Sequence, residues 1–378
     1  MDYKKLSDLC DVVSGGTPAR SRIECWENGT IPWVKISDLS SKYIKGTEEK
    51  ITETGLKESS AKLLPRGTIL FSIFATLGAT GILDIDASTN QAIAGLTVRD
   101  SRTIDPEYLY YYLLSKKTYV NNIGRGVAQN NINLSILKSL EVPVPTVDEQ
   151  RSIITILNKN DAIITGKRKV LKALNELVKA RFVEMFGNEK NLMPISDICS
   201  IITDGTHQPP KFRDTGIPFI FVSNITGDKV TYDAEKFIDQ DTYDELIKRT
   251  PIEIGDVLLS TVGSYGHPAV VKSNKKFLFQ RHIAYLKPRR EIIDSDYLHG
   301  AILSPDAQRQ IEEGVKGIAQ KTLNLSEIKK MRIPVPDMNK QKEFATFSAQ
   351  VDKSKAAVQK SLDETQLLFN SLMQKYFG

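Results

Sequence analysis

The groups in this chain that could do acid–base or metal chemistry are few and unevenly placed. Its four histidines, His207, His267, His282 and His299, all fall in the second half. None has HExxH or HxH spacing, so a zinc site is not indicated. Cys10, Cys25 and Cys199 form no CxxC pair and read as small buried hydrophobes, not as metal ligands or a disulfide framework. No GxxxxGK[ST] segment is available to cradle phosphates, and no glycine-rich strand-to-helix turn resembles a dinucleotide or methyl-donor site. Asp337 and Glu343 hint at a nuclease carboxylate cluster, but no acidic-x-Lys follows. A solvated helix N-terminus, which favours acids, explains them better. The chain is not expected to catalyse a reaction by itself.

Donors suited to nucleic acid are plentiful instead. In the first half they are Thr17, Arg20, Arg22, Lys35, Asn90, Gln91, Arg125 and Gln129. In the second they are His207, Lys211, Arg213, Asn224, Tyr265, Gln280, Arg281, His282, Lys316 and Gln320. Arg and Lys can hold phosphates or read guanine, and Asn and Gln can read adenine through two hydrogen bonds. Any one of them alone is a weak signal, since surface arginines are commonly just solvated. Arg125 and Lys316 stand out because each precedes Gly-[Val/Ile]-Ala-Gln. A turn shared by the scaffold explains that recurrence equally well.

That recurrence belongs to a larger one. Residues 125–150 (RGVAQNNINLSILKSLEVPVPTVDEQ) and 316–341 (KGIAQKTLNLSEIKKMRIPVPDMNKQ) share 11 of 26 positions without a gap, at an offset of 191. Thr146 stands where the second copy has Asp337. Each copy leads into a long helical pattern ending in Phe-Gly, at Phe186-Gly187 and Phe377-Gly378, again 191 apart. The chain of 378 residues is therefore a tandem duplication.

The duplicated frame carries the elements that must position the donors. Ile31–Leu39, Thr68–Ile73 and Asn90–Val98 read as strands, with Ile217–Ile225, Gly255–Ser260 and the segment around Gln280 as their counterparts. Gln280 is aligned with Gln91. Asp105 caps a helix that has Pro106 at its first position, and Asp294 does the same in the second half. Pro143-Val-Pro145 and its twin stop the chain before each long helix. In the first helix Leu157, Ile164, Leu171 and Val178 form one apolar column, and Ile156, Ile163, Val170 and Leu177 form a neighbouring one. In the second, Phe344, Val351, Val358 and Leu372 step by seven around an interrupting Thr365. Sustained heptads of this kind mark coiled-coil packing. Roughly 37 helical residues reach on the order of 55 Å, and a helix that long needs a partner, for which its own duplicate is the obvious candidate. Loops between the repeated elements diverge almost completely, as if one scaffold presented two different surfaces.

Hydrophobic residues make up 40% of the chain, charged residues 26%, and the net charge is +5, all ordinary for a globular protein and compatible with nucleic acid. No apolar run approaches the ~20 residues of a membrane span, and MDYKKLSDLC lacks a signal-peptide core, so no membrane is expected and a cytoplasmic address follows by default.

In order, Ser14-Gly-Gly-Thr-Pro18, Trp26 with Ile31-Pro-Trp33, Gly67–Ser72, Asp204-Gly-Thr-His207 and the two Leu-Ser…Pro-Val-Pro segments resemble the specificity subunit of type I restriction–modification systems. The resemblance covers nearly the whole chain. It implies an α+β fold of two similar target recognition domains, each a mixed or antiparallel sheet with helices. Two long helices would join them as an antiparallel coiled coil, making a pseudo-twofold tandem repeat. The expected divisions are recognition domains at 1–145 and 188–336 and spacer helices at 146–187 and 337–378. Each domain would read one half of a bipartite site in double-stranded DNA. Two methyltransferase subunits would dock on the helices and domains, with motor-nuclease subunits joining for cleavage. S-adenosylmethionine, and the ATP and Mg of restriction, would sit on those partners. A stand-alone coiled-coil DNA-binding adaptor or repressor is the alternative. An enzyme with an unrecognised site in one half is a third reading.

Overall fold

The computed structural model describes residues 2–124, 131–317 and 321–378. The chain divides into two compact units. Unit 1 holds residues 1–166 and 361–378, and unit 2 holds residues 167–360. Each unit therefore contains one globular domain, the start of one long helix and the end of the other.

The main sheet of unit 1 runs Cys10–Ser14, Ile93–Val98, Ile69–Ser72, Thr80–Leu83 and Tyr43–Ile44, antiparallel except for the last pair. A smaller sheet sets Ile31–Val34 between Glu49–Ile51 and Ser88–Thr89. Unit 2 repeats both. Its main sheet runs Cys199–Asp204, Ile283–Pro288, Val257–Ser260 and Pro268–Val270, and its smaller one sets Ile217–Ile220 between Phe237–Ile238 and Leu278–Phe279. The fifth strand of unit 1 shrinks in unit 2 to one parallel bridge between Lys229 and Val270. The strands Ile69–Ser72 and Val257–Ser260 are buried along their whole length, which is why they read as continuous apolar runs and not as alternating ones.

The Pro-Val-Pro segments do more than stop the chain. Glu141–Val144 pairs antiparallel with Asp2–Lys5, and Arg332–Pro334 with Leu192–Pro194. Two-stranded ribbons have free edges, where a proline without an N–H is tolerated. Tyr108 donates its hydroxyl to the Pro143 carbonyl (3.0 Å) and Tyr297 to that of Pro334 (2.9 Å), tying each ribbon to the helix capped by Asp105 or Asp294.

The long helices span Val147–Phe186 and Met338–Phe377. Within unit 1, Phe377 packs on Tyr108 and Phe369 on Tyr111, while Asn158 accepts from the Tyr111 hydroxyl. Within unit 2, Phe182 and Phe186 meet Phe344, and Arg181 lies over Phe347. In both, the two segments run in opposite directions as an antiparallel coiled coil. Of the expected packing residues, Leu157, Ile164, Phe344 and Val351 are buried, and Leu171, Val178, Val358 and Leu372 are half-buried. Two expectations need correction. Ile156, Ile163, Val170 and Leu177 lie off the seam and are 39–48% exposed. Leu362, Phe369, Met373 and Phe377, outside the expected column, are more deeply buried than Val358 and Leu372. Alternating steps of three and four select one stripe, and a neighbouring column one residue over faces away.

Candidate nucleic-acid interface

Each domain is seated by the same buried glutamine. Gln150 accepts from the Asp105 N–H (2.8 Å) and donates to the carbonyls of Thr103 (3.0 Å) and Pro145 (2.9 Å). Gln341 accepts from the Asp294 N–H (2.8 Å) and donates to those of Ile292 (3.0 Å) and Pro336 (2.8 Å). An amide offers one acceptor and two N–H donors, and here each finds a partner, so a polar side chain is stable while fully buried. Cys10 and Cys199 also occupy matching buried places. Burial pushes both thiols up to about 12, which leaves them unreactive.

On each domain, the loop that leaves strand Cys10–Ser14 or Cys199–Asp204 meets the turn that enters Ile93–Val98 or Ile283–Pro288. In unit 1 the strand Cys10–Ser14 ends at Gly15, and a Cβ there would lie 2.3 Å from the Asn90 carbonyl oxygen. In unit 2 a Cβ on Gly205 would lie 2.3 Å from the Phe279 carbonyl oxygen. Glycine at these two places lets the loop carrying Thr17 or His207 pass against the 90–93 or 280–283 turn. Both turns close on one bond, Ile93 N–H to Asn90 O (3.2 Å) and Ile283 N–H to Gln280 O (3.1 Å). Gln280 therefore matches Asn90, and Arg281 matches Gln91. The expected alignment of Gln280 with Gln91 is off by one residue, because the offset between the halves is 190 at this turn and 191 at the helices.

The two faces differ in chemistry. In unit 1 the Thr17 hydroxyl donates to the side-chain Oε1 of Gln91, and Asn90 Oδ1 accepts from the Ala92 N–H. In unit 2 Asp204 holds both His207 and Arg249, and the Arg281 Nε–H donates to His282 Nε2 (3.4 Å). Burial, and then the neighbouring Arg281, hold the His282 pKa below the usual imidazole value, which keeps Nε2 an acceptor. A recess of about 430 Å³ opens there, lined by Asp204, Thr261, Arg281, His282 and Asn324 among others.

Thr17, Asn90 and Gln91 thus come together in unit 1, and His207, Gln280, Arg281 and His282 in unit 2. Several other candidates are already engaged. Arg20 lies 3.8 Å over the Trp26 ring and pairs with Glu49. Arg22 pairs with Glu24 and Glu58, and Lys35 with Glu48 and Glu49. Arg213 pairs with Asp239, and Tyr265 donates to Glu312. Asn224 is buried and pins the turn from Phe221 to Asp233, so its placement among surface donors is corrected. Lys211 and Lys316 are exposed. Arg125, Gln129 and Gln320 lie outside the described residues. Asp204 and Arg249 were missed. Asp204 stands in the Asp-Gly-Thr-His motif, but nothing local points to Arg249, which reaches it from 45 residues away.

The family profile described as the type I restriction modification DNA specificity domain matches residues 1–176 and again 188–365. The chain belongs to this family. It is 28% identical over 369 residues to the specificity subunit of the MjaIX type I restriction enzyme of Methanocaldococcus jannaschii, an alignment covering 89% of this chain and 83% of that one. It is also 28% identical over 169 residues to the EcoR124I/EcoR124II specificity subunit of Escherichia coli, covering 43% and 41%. The fold is shared with the crystal structure of the type I restriction–modification S subunit from M. genitalium (TM-score 0.52, 15% identity, 100% and 96% covered). It is also shared with a chain from a structure of type I complex assembly and conformational transition (TM-score 0.58, 17% identity, 100% and 97% covered). Among the described residues no helix is long and apolar enough to cross a membrane.

Proposed function

We propose that this chain is the DNA-specificity subunit of a type I restriction–modification complex, each unit's loop face reading one half of a bipartite site. The observation that carries this reading is the duplication itself. One frame, fixed by Gln150 and Gln341, presents Thr17 and Gln91 on one copy and His207 and Arg281 on the other. The long helices set the spacing between half-sites, as dimer geometry does in other DNA-binding proteins. Inserting one heptad into both should lengthen the unread gap and leave both half-sites unchanged.

The helices also dock two methyltransferase subunits in this reading. Ile156 and Ile163 in unit 1, and Val170, Leu177 and Val183 in unit 2, expose apolar surface of the kind partners cover. Adenine methylation, S-adenosylmethionine, ATP and Mg²⁺ belong to the methyltransferase and motor-nuclease subunits, and this chain contributes recognition. The test is to co-express it with the methyltransferase encoded beside it and map N6-methyladenine across the host DNA. A bipartite motif that disappears when this chain is deleted is expected. Methylation independent of the chain would instead favour a stand-alone DNA-binding adaptor.

A further inference from the structure

We propose that Gln91 and Arg281, which occupy the same corner of the repeated turn, are specificity-determining residues: Gln91 selects an adenine in the half-site of unit 1, and Arg281 a guanine in that of unit 2. This rests on the DNA-reading function above and names residues and bases within it.

The positions are equivalent by hydrogen bonding and not only by sequence. The turns 90–93 and 280–283 close on matching bonds, and each follows a two-residue strand, Ser88–Thr89 or Leu278–Phe279, paired in parallel with Ile31–Val34 or Ile217–Ile220. Residue 91 and residue 281 are both exposed, and both precede a buried strand. The residue following the first strand of each main sheet, Cys10–Ser14 or Cys199–Asp204, is glycine, and it brings a second loop against the turn.

Each side chain is held by a neighbour in a way that leaves its reading edge open. The Thr17 hydroxyl donates to Gln91 Oε1. That fixes which end of the amide is oxygen and leaves one lone pair and the whole NH₂ group. Such an edge complements the N6–H donor and N7 acceptor of adenine. Arg281 spends Nε–H on His282. Its two terminal NH₂ groups remain, and a planar fork of donors matches the O6 and N7 acceptors of guanine. Arg249, on the same face, is already bound to Asp204, whereas Arg281 makes no ion pair among the described residues. An amide cannot replace the fork, nor the fork the amide, because guanine presents two acceptors where adenine presents a donor and an acceptor.

The test uses the full chain co-expressed with its methyltransferase, with methylated motifs mapped genome-wide. Arg281→Gln should change one guanine position in one half-site, lowering the preference for guanine there on the order of 10- to 100-fold. The other half-site and the gap should stay as they were. Gln91→Arg should alter one adenine position in the opposite half-site. Arg281→Lys covers the case in which the Gln variant fails to accumulate, since it keeps the charge and loses the fork. It should broaden the same position without abolishing methylation. A bipartite motif unchanged by these variants, or changed in the wrong half, overturns the assignment while leaving the specificity function standing. Absence of any chain-dependent motif in the unaltered protein overturns the function itself.

Discussion

The places where the two domains meet the long helices share one frame and differ in what fills it. In unit 1 the Lys42 ammonium reaches Glu107 (2.5 Å) and Asn158 (2.6 Å), lies 4.6 Å from the Tyr111 ring, and is almost closed off from water. Tyr43 adds its hydroxyl to Glu107. In unit 2 the same places hold Asp228, Asp296, Ala349, Gly300 and Lys229, and a cavity of about 470 Å³ remains. Phe344 has moved into the space a side chain at Gly300 would need, at 2.3 Å from its Cβ position. His299 lines the cavity with Nε2 shielded and without a hydrogen-bond partner among the described residues. What survives in both is the glutamine clamp, the tyrosine on the Pro-Val-Pro ribbon and the terminal phenylalanine. That set suffices to seat a domain, and the rest of the joint is free to vary.

If so, removing the shared part should do the most harm. Gln150→Ala or Gln341→Ala strands three backbone groups that are largely shielded from water and should destabilise the unit concerned by on the order of 3 kcal/mol. Urea unfolding of each variant measures this, and a loss below about 1 kcal/mol in either would break the parallel. Lys42→Met should cost about 3 kcal/mol, because it leaves the partly buried Glu107 without its cation. Hydrogen exchange should place that loss in the Pro106–Ser115 helix and leave Ser295–Ile302 unaffected.

Filling should work in the opposite direction, and only in unit 2. The first helix has Leu157 where the second has Ser348, so Ser348→Leu should stabilise unit 2 by about 1 kcal/mol. A destabilised variant would show that the cavity is not free to be filled.

The smallest effects are in pH. Burial pushes the Glu107 carboxyl up, but hydrogen bonds from Lys42, Tyr43 and Asn158 outweigh it and hold the pKa below the usual value. Its stabilisation is complete above the unfolded carboxylate pKa, about 4.3, and is lost as pH falls through the lower folded value. Burial lowers the His299 pKa, opposed by Asp228, Asp352 and Asp296. The unfolded chain then takes the proton more readily, so unit 2 should weaken as pH drops below about 6.5. His299→Tyr, which places the Tyr110 side chain of unit 1 at this position, should flatten that slope. Thermal unfolding at pH 7 and pH 5.5 reads the difference.

The frame was legible in the sequence because it is local and repeated. Gln150 and Gln341, Phe186 and Phe377, and the capping Asp105 and Asp294 each recur at a nearly fixed spacing. The seam needed more than spacing, since two apolar columns one residue apart satisfy the same heptad count. Which donors stay available was not legible at all. Arg20, Arg22 and Arg213 are neutralised by Glu49, Glu58 and Asp239, acids that are distant in sequence and meet them only in the folded domains. The one-residue slip at the 280–283 turn was hidden for the same reason, since the loops before it differ in length.

The most direct measurement replaces residues 1–142 with the corresponding segment of another family member and maps the methylated motif. One half-site should change, with the other half and the adenine methylation retained. A motif altered in both halves, or in neither, would contradict the claim that two independent readers share one frame.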